Sequence, residues 1–358
     1  MIDRLTVYCL RLPLQRPYKL AFGPVEAYDT VLVEVTLDDG RAGWGEATVL
    51  TGYTDETIES AWQTATALAP QLISKPVSEA RAVASALVDR APFTVTAFVS
   101  GIEMAIGHPV LSPQETERVP LLAIVNAMEN AQIADEIEAR LAEGFRTLKV
   151  KVGFELMADK ARLAFIQDHC AGRATLRVDG NQGYSRSDAV DFVSSIDPKD
   201  IELVEQTCAA GDWEAAVAVA EAARVNGVPV MLDESIYGLA EVDRAAELGC
   251  ADVIKLKLMK MGNLDALIGG LRHVKAKGMK AVLGNGVASD IGCWMEACVA
   301  ASELDNAGEM NGYLKPAQRL FAVPMAFDAG DLVLRPDEHV VADRDAIAGH
   351  AVEQQDVY

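Results

Sequence analysis

Three short stretches share one pattern: Thr175-Leu176-Arg177-Val178-Asp179, Ile201-Glu202-Leu203-Val204-Glu205 and Val230-Met231-Leu232-Asp233. Each is an apolar, β-prone run that stops at a carboxylate, and a helical stretch separates each from the next. Alternating strands and helices of this kind build a parallel sheet. If the sheet closes into a barrel, the residues at the strand ends gather at its C-terminal mouth, where barrel enzymes carry their chemistry. Asp179, Glu205 and Asp233 would then stand side by side. An acidic residue after a strand also serves as a helix N-cap. Three in successive repeats favour a shared site, and clustered carboxylates that repel one another call for a divalent cation. An all-oxygen donor set favours Mg²⁺, with Mn²⁺ as the substitute, over zinc.

On one side of this set the preceding strand ends Lys149-Val150-Lys151, with both lysines on one face by the two-residue period of a strand. On the other side Val253-Ile254-Lys255-Leu256-Lys257-Leu258 repeats the arrangement. The faces of a parallel barrel strand are covered outside by helices, so lysines here belong to the mouth. The order around the ring is Lys, Asp, Glu, Asp, Lys. A metal holding a substrate carboxylate makes the α-proton acidic and offsets the charge that builds on an enediolate. One lysine, unprotonated, takes the proton, and the other returns it to the opposite face. Lys149 is expected to lower the pKa of Lys151 by like-charge repulsion.

The same rhythm extends in both directions. Strands are expected at Leu121–Val125, Thr147–Val152, Thr175–Val178, Ile201–Val204, Pro229–Leu232, Asp252–Leu258 and Lys280–Leu283, with an eighth near Glu303–Ala307. Helices are expected at Asn130–Glu143, Trp213–Asn226 and Leu239–Leu248. This predicts a (β/α) TIM-type barrel over 120–324, with an open doubly wound sheet as the alternative. Residues 1–119 read as α+β: strands at Leu5–Leu12 and Thr30–Leu37, a turn into Gly43-Trp44-Gly45-Glu46, then helices within Asp55–Ala69, Pro76–Asp89 and Thr94–Gly107. The segment 325–358 carries another strand, Leu332–Leu334, and is expected to return to the first domain.

The formal net charge of −21 argues against nucleic acid and anionic membranes as partners. No apolar run is long enough to span a bilayer, and the charged start Met1-Ile2-Asp3-Arg4 does not read as a signal peptide. The six cysteines lack any C-x-x-C pair, so reduced, buried thiols and a cytoplasmic location are expected. The five histidines fall in helices or loops and carry no site.

These motifs resemble the enolase superfamily, and within it the muconate lactonizing enzyme subgroup. Leu148–Gly153, Arg177–Gln182, Val204-Glu205-Gln206, Leu232–Ser235 and Ile254–Gly262 carry the likeness, together with Gly43–Glu46. The resemblance implies that Asp179, Glu205 and Asp233 bind the metal, that Lys151 and Lys257 are the acid–base pair, and that Lys149 tunes Lys151. It places Asn181 beside the metal site and Lys255 as the alternative to Lys257. It also puts cap loops around Leu20–Val25 and Leu50–Tyr53, with Phe22 and Tyr53, over the substrate. Dipeptide epimerases carry an Asp-x-Asp after the eighth strand that grips an ammonium group. Glu303-Leu304-Asp305 is a near match, making Asp305 a candidate, with Glu309 a few residues on. The implied activity is racemisation or epimerisation of an amino acid, an N-substituted amino acid or a dipeptide. Dehydration or cycloisomerisation is the alternative, and a non-catalytic ligand-binding barrel the more distant one. The expected partner is a small-molecule carboxylate, in a homo-oligomer like those of the family. Gly262-Asn263 departs from the Gly-Gly usual after the sixth strand, and 101–108 lack the Trp-Asp usual at the close of the first domain.

Overall fold

Three early strands, β1 (Ile2–Leu20), β2 (Gly23–Leu37) and β3 (Ala42–Thr48), pair antiparallel in the order written. The computed structural model describes residues 1–20, 23–49, 55–336 and 340–358, with the side chains of 18–20 and 23 excepted. Alternate residues leave opposite faces of this sheet. Val31, Val33 and Val35 pack with helices α1 (Ile58–Leu72), α2 (Val77–Ser85) and α3 (Pro92–Ala105), while Tyr28 and Leu32 join the larger core of the barrel. Gly45 is required by the close approach of α3: a Cβ there would lie 2.1 Å from the carbonyl oxygen of Ala97.

The middle of the chain alternates strand and helix: β4 (Glu117–Pro120), β5 (Leu122–Val125), α4 (Asn130–Ala142), β6 (Thr147–Lys151), α5 (Leu156–Cys170), β7 (Thr175–Asp179) and α6 (Arg186–Ser195). It continues with β8 (Ile201–Glu205), α7 (Trp213–Asn226), β9 (Val230–Leu232), α8 (Leu239–Leu248), β10 (Val253–Leu256), α9 (Leu258–Met261), α10 (Leu264–Ala276), β11 (Lys280–Leu283) and α11 (Asp290–Glu303). Strands β5 to β11 form one parallel sheet in sequence order.

The ring is closed by two residues where an eighth strand would lie. Glu309 N donates to Leu283 O at 3.2 Å on one side, while Gly308 N donates to Pro120 O at 2.9 Å and Leu122 N to Gly308 O at 3.1 Å on the other. The eighth strand is therefore not at 303–307. Glu303 ends α11, and the following residues run along the strand starts. The barrel interior is layered: Leu203, Met231, Val253 and Val282 form a small apolar cluster, with Glu205 and Lys255 farther along β8 and β10 and Asp233 just after β9.

After the barrel, β12 (Ala326–Asp328) pairs antiparallel with β13 (Asp331–Leu334), which in turn pairs antiparallel with β4. Helix α12 (Arg344–His350) then leads to β14 (Ala351–Val357), which pairs antiparallel with β1, from Leu5 opposite Val357 onward. Cap and barrel meet at a seam where Arg81 of α2 lies 2.7 Å from both Glu103 of α3 and Asp265 of α10, with His108 3.0 Å from Asp265. All six cysteines are free and buried, and no helix among the described residues is long and apolar enough to cross a membrane.

Candidate active site

The register of the parallel sheet pairs Lys151 with Asp179 and Asp179 with Glu205, so three strand ends deliver their side chains at one level. Asp233 follows β9 and Lys257 follows β10. The structure thus brings together eight residues singled out by sequence: Lys149, Lys151, Asp179, Asn181, Glu205, Asp233, Lys255 and Lys257. Lys151 Nζ lies 2.7 Å from Asp179 and also donates to Asn181 Oδ1. Lys257 Nζ lies 2.7 Å from Asp233. Strands β6 and β10 are four places apart in a ring of eight, so the two lysines face each other across the mouth. Each contacts the outer carboxylate on its own side, with Glu205 between them.

Beneath this pair sits a second layer. Lys149 Nζ is 2.8 Å from Asp179, 2.7 Å from Glu205 and 2.5 Å from Glu309. Lys255 Nζ is 3.2 Å from Glu205 and 3.6 Å from Asp233, and also pairs with Glu309. Burial alone would lower the Lys149 pKa, but Asp179, Glu205 and Glu309 outweigh it and hold the ammonium well above its ordinary value. Lys255 is raised in the same way: burial opposes, and Glu205 and Glu309 prevail. Burial likewise opposes ionisation of Asp233, yet Lys257, Lys255 and Lys260 hold it well below the usual carboxylate range. Glu205 moves the other way, raised by burial and by Asp179 against the pull of Lys149 and Lys255.

These groups fit a hard divalent cation. Asp179, Glu205 and Asp233 offer only oxygen, and all three are buried. Glu205 Oε2 and Asp233 Oδ1 each lie 2.7 Å from a lysine ammonium, so these buried oxygens already stand where positive charge is balanced, as hard oxygen ligands of a divalent cation would. The Glu103–His108–Asp265 group at the seam also has three potential ligands close together. There the Arg81 guanidinium already supplies the cation.

Asp305 is not part of this cluster. It is exposed and lines a cavity with Asp252, Lys275 and Lys280 at the strand starts. The chain does not re-enter the ring until Gly308, so the acidic side chain delivered to the mouth from the closing segment is Glu309. Phe22 and Tyr53 lie outside the described residues. Of the histidines, His169, His273 and His350 make polar contacts to Glu138, Asp243 and Gln318 away from the mouth, and His339 is outside the described residues. Trp294 packs edge-on against Phe321.

Glu309, the lesser of the two acidic candidates after the barrel strands, is the one that reaches the mouth, and two further buried groups, Glu234 and Lys260, escaped the sequence reading. Glu309 stands between Lys149 and Lys255, in a segment with no β-branched run to announce a strand. Glu234 accepts from Asn181 Nδ2 at 3.1 Å, and burial beside Asp233 and Asp179 pushes its carboxyl up to about 7. Lys260 donates to the carbonyl oxygens of Asp233 and Ile236 at 3.2 and 2.9 Å, tying down the loop that carries Asp233. The apolar pattern of 254–262 offered no cue to that inward turn.

Comparison with known proteins agrees with this geometry. Residues 3–108 match the mandelate racemase / muconate lactonizing enzyme N-terminal domain, and residues 132–338 match the enolase C-terminal domain-like family. An L-Ala-D/L-Glu epimerase from Bacillus subtilis is 30% identical, the match covering 84% of this chain and 85% of that one. An N-succinyl-L-Arg/Lys racemase from Bacillus cereus is 24% identical, covering 88% of each. The crystal structure of a dipeptide epimerase from Cytophaga hutchinsonii, complexed with Mg and D-Ala-L-Val, superposes with a TM-score of 0.89 at 20% identity, covering 100% of both chains. With matched domains on both sides of the seam and the carboxylates and lysines gathered at the barrel mouth, the chain belongs to the mandelate racemase / muconate lactonizing enzyme family of the enolase superfamily.

Proposed function

We propose that the protein is a divalent-metal-dependent racemase or epimerase that inverts the α-carbon of a dipeptide or an N-substituted amino acid. The observation that carries this reading is the opposition of Lys151 and Lys257 across the mouth, each contacting one of the two outer carboxylates. Inversion requires a proton to leave one face of the α-carbon and another to arrive at the opposite face. Two groups on opposite sides of one site perform that without moving the substrate.

Asp179, Glu205 and Asp233 would hold Mg²⁺ or Mn²⁺, which when bound neutralises charge building on the substrate carboxylate. Asn181 positions Lys151 through its side-chain oxygen. Lys149 and Lys255, buried and held as ammonium ions, keep the interior beneath the carboxylates electrically balanced. Glu309 is the counterion both of them share. The names of the Bacillus relatives favour α-amino acids acylated on nitrogen, either as the C-terminal residue of a dipeptide or as an N-succinyl derivative.

The test is α-proton exchange in D₂O with Mg²⁺, followed by NMR on dipeptides, N-acyl amino acids and free amino acids. Exchange with inversion on one class is expected. Alanine at Lys151 or at Lys257 should lower it by about 10³-fold, within the range for removing a general acid or base. Wild-type inversion, or wild-type exchange from both antipodes, in either variant defeats the proposal. Net loss of water or ring closure without inversion would reassign the protein to lyase or cycloisomerase chemistry.

A further inference from the structure

Lys257 stands one residue beyond the end of β10, and the chain turns at once into the short helix α9. The first backbone N–H of that helix, on Leu258, has no partner within its own turn. It donates to Glu296 Oε1 of α11 at 2.8 Å. Glu296 is buried and contacts neither the three carboxylates nor the two opposed lysines through any hydrogen bond. Its second oxygen, Oε2, is buried without a hydrogen bond. A small cavity of about 10 Å³, room for about one water, opens beside it between cap and barrel, lined by Glu46, Thr96, Leu258, Asn285 and Glu296 among others.

The same helix is anchored to the cap one turn earlier. Glu46 of β3 accepts from Ser289 N at 2.8 Å and Gly292 N at 3.1 Å, and from the Ser289 hydroxyl, at the N-terminus of α11. Gly292 leaves the room for this: a Cβ there would lie 2.5 Å from the Glu46 carboxylate. From the cap side, Thr96 Oγ1 of α3 lies 3.3 Å from the carbonyl oxygens of both Leu258 and Met259. The residue that follows Lys257 is therefore held by α11 through Glu296 and packed beside Thr96 of the cap, whose hydroxyl has its shortest acceptor in Pro92 O at 2.8 Å, while α11 itself is fixed to the cap by Glu46.

We infer that Glu296 is a positioning residue for Lys257, holding the lysine over its face of the substrate through the Leu258 amide and coupling that position to the docking of the cap. The inference rests on the role proposed for Lys257 and adds to it. A buried carboxyl group that accepts one backbone hydrogen bond and leaves its second oxygen without one is a costly choice for packing alone. It makes sense where a displacement of about 1 Å at the reacting group costs about 10²-fold in rate.

The experiment uses Glu296→Ala and Glu296→Gln in the full-length protein with Mg²⁺. Deuterium wash-in is followed on L-Ala-L-Glu and L-Ala-D-Glu, and on N-succinyl-L-arginine and its D-form. The alanine variant should slow wash-in from the antipode served by Lys257 by about 10²-fold, leaving initial wash-in from the other antipode much less affected. Glutamine keeps the acceptor oxygen and should restore most of the loss. Equal loss from both antipodes, or no rescue by glutamine, overturns the inference. If Lys257→Ala itself spares wash-in from both antipodes, the role of Lys257 fails instead. If the wild-type protein exchanges none of the probes, crystal structures decide: Lys257 displaced in Glu296→Ala but not in Glu296→Gln supports the inference, and Lys257 unmoved in both refutes it.

Discussion

Both ends of the barrel are charged, but one end hides far more of its charges than the other. At the strand starts, Arg224, Lys275, Lys280 and Asp305 are exposed around an open cavity of about 660 Å³. At the strand ends, Lys149, Asp179, Glu205, Asp233, Lys255, Lys257 and Glu309 are all buried. Charges facing water are screened and interchangeable, and each exposed pair contributes little. Charges removed from water must find partners in fixed geometry, and their placement then determines which protons and ions the site accepts. Residue type does not separate the two ends. Burial does.

The sharpest way to break this comparison is to neutralise one acid at each end and measure metal binding. Glu205→Gln should weaken Mg²⁺ or Mn²⁺ affinity by at least about 10²-fold in calorimetry, the upper range for losing even a supporting partner of a ligand. Asp305→Asn should leave the affinity unchanged. Equal effects would erase the distinction.

Stability gives the next contrast. Glu309→Ala strips Lys149 and Lys255 of a shared counterion and should cost about 3–5 kcal/mol in denaturant unfolding, as buried pairs do when one partner is lost. Asp305→Ala should stay within about 0.5 kcal/mol.

A finer contrast lies between buried acids with and without a cation. Burial pushes the Glu46 carboxyl from 4.5 up to about 7, with Asp290 adding to the rise and the hydrogen bonds from Ser289 and Gly292 opposing it. The fold therefore binds this proton more tightly than the unfolded chain does. The stabilisation is complete below about pH 4.5 and is lost as pH rises through about 7, a change of about 3 kcal/mol. Glu46→Gln does not titrate, so its stability relative to wild type should rise by about that amount between pH 5 and 8. A flat difference would mean that Glu46 stays ionised throughout.

Much of the mouth was legible because its signals are local. Asp179, Glu205 and Asp233 each end an apolar run, and Lys149-Val150-Lys151 needs only the strand period to put both lysines on one face. Helix α7 runs over Trp213–Asn226 as the pattern predicts, since Gly227 can adopt the left-handed conformation that ends it, with φ at 77°. The closing segment was not legible. Two residues, Gly308 and Glu309, complete the ring through hydrogen bonds to distant backbone, and no periodicity can reveal so short a pairing. That gap is why Glu303-Leu304-Asp305 looked like the acidic motif of the eighth strand although it belongs to the other end. Glu234, Lys260 and Glu296 were hidden for a related reason: each acts on backbone or side chains brought near only by the closed ring and the seated cap.

The pairing of β14 with β1 has a consequence for synthesis. The strand that begins at Ile2 has its outer neighbour at Ala351–Val357, so the cap sheet cannot be completed until that distant segment has left the ribosome. At roughly 5–20 residues per second, one edge of β1 waits unpaired for on the order of tens of seconds. An exposed edge of that kind invites strand addition from other chains. Pairing with β2 protects only the other edge of β1, so late arrival of β14 sets how long this edge stays open.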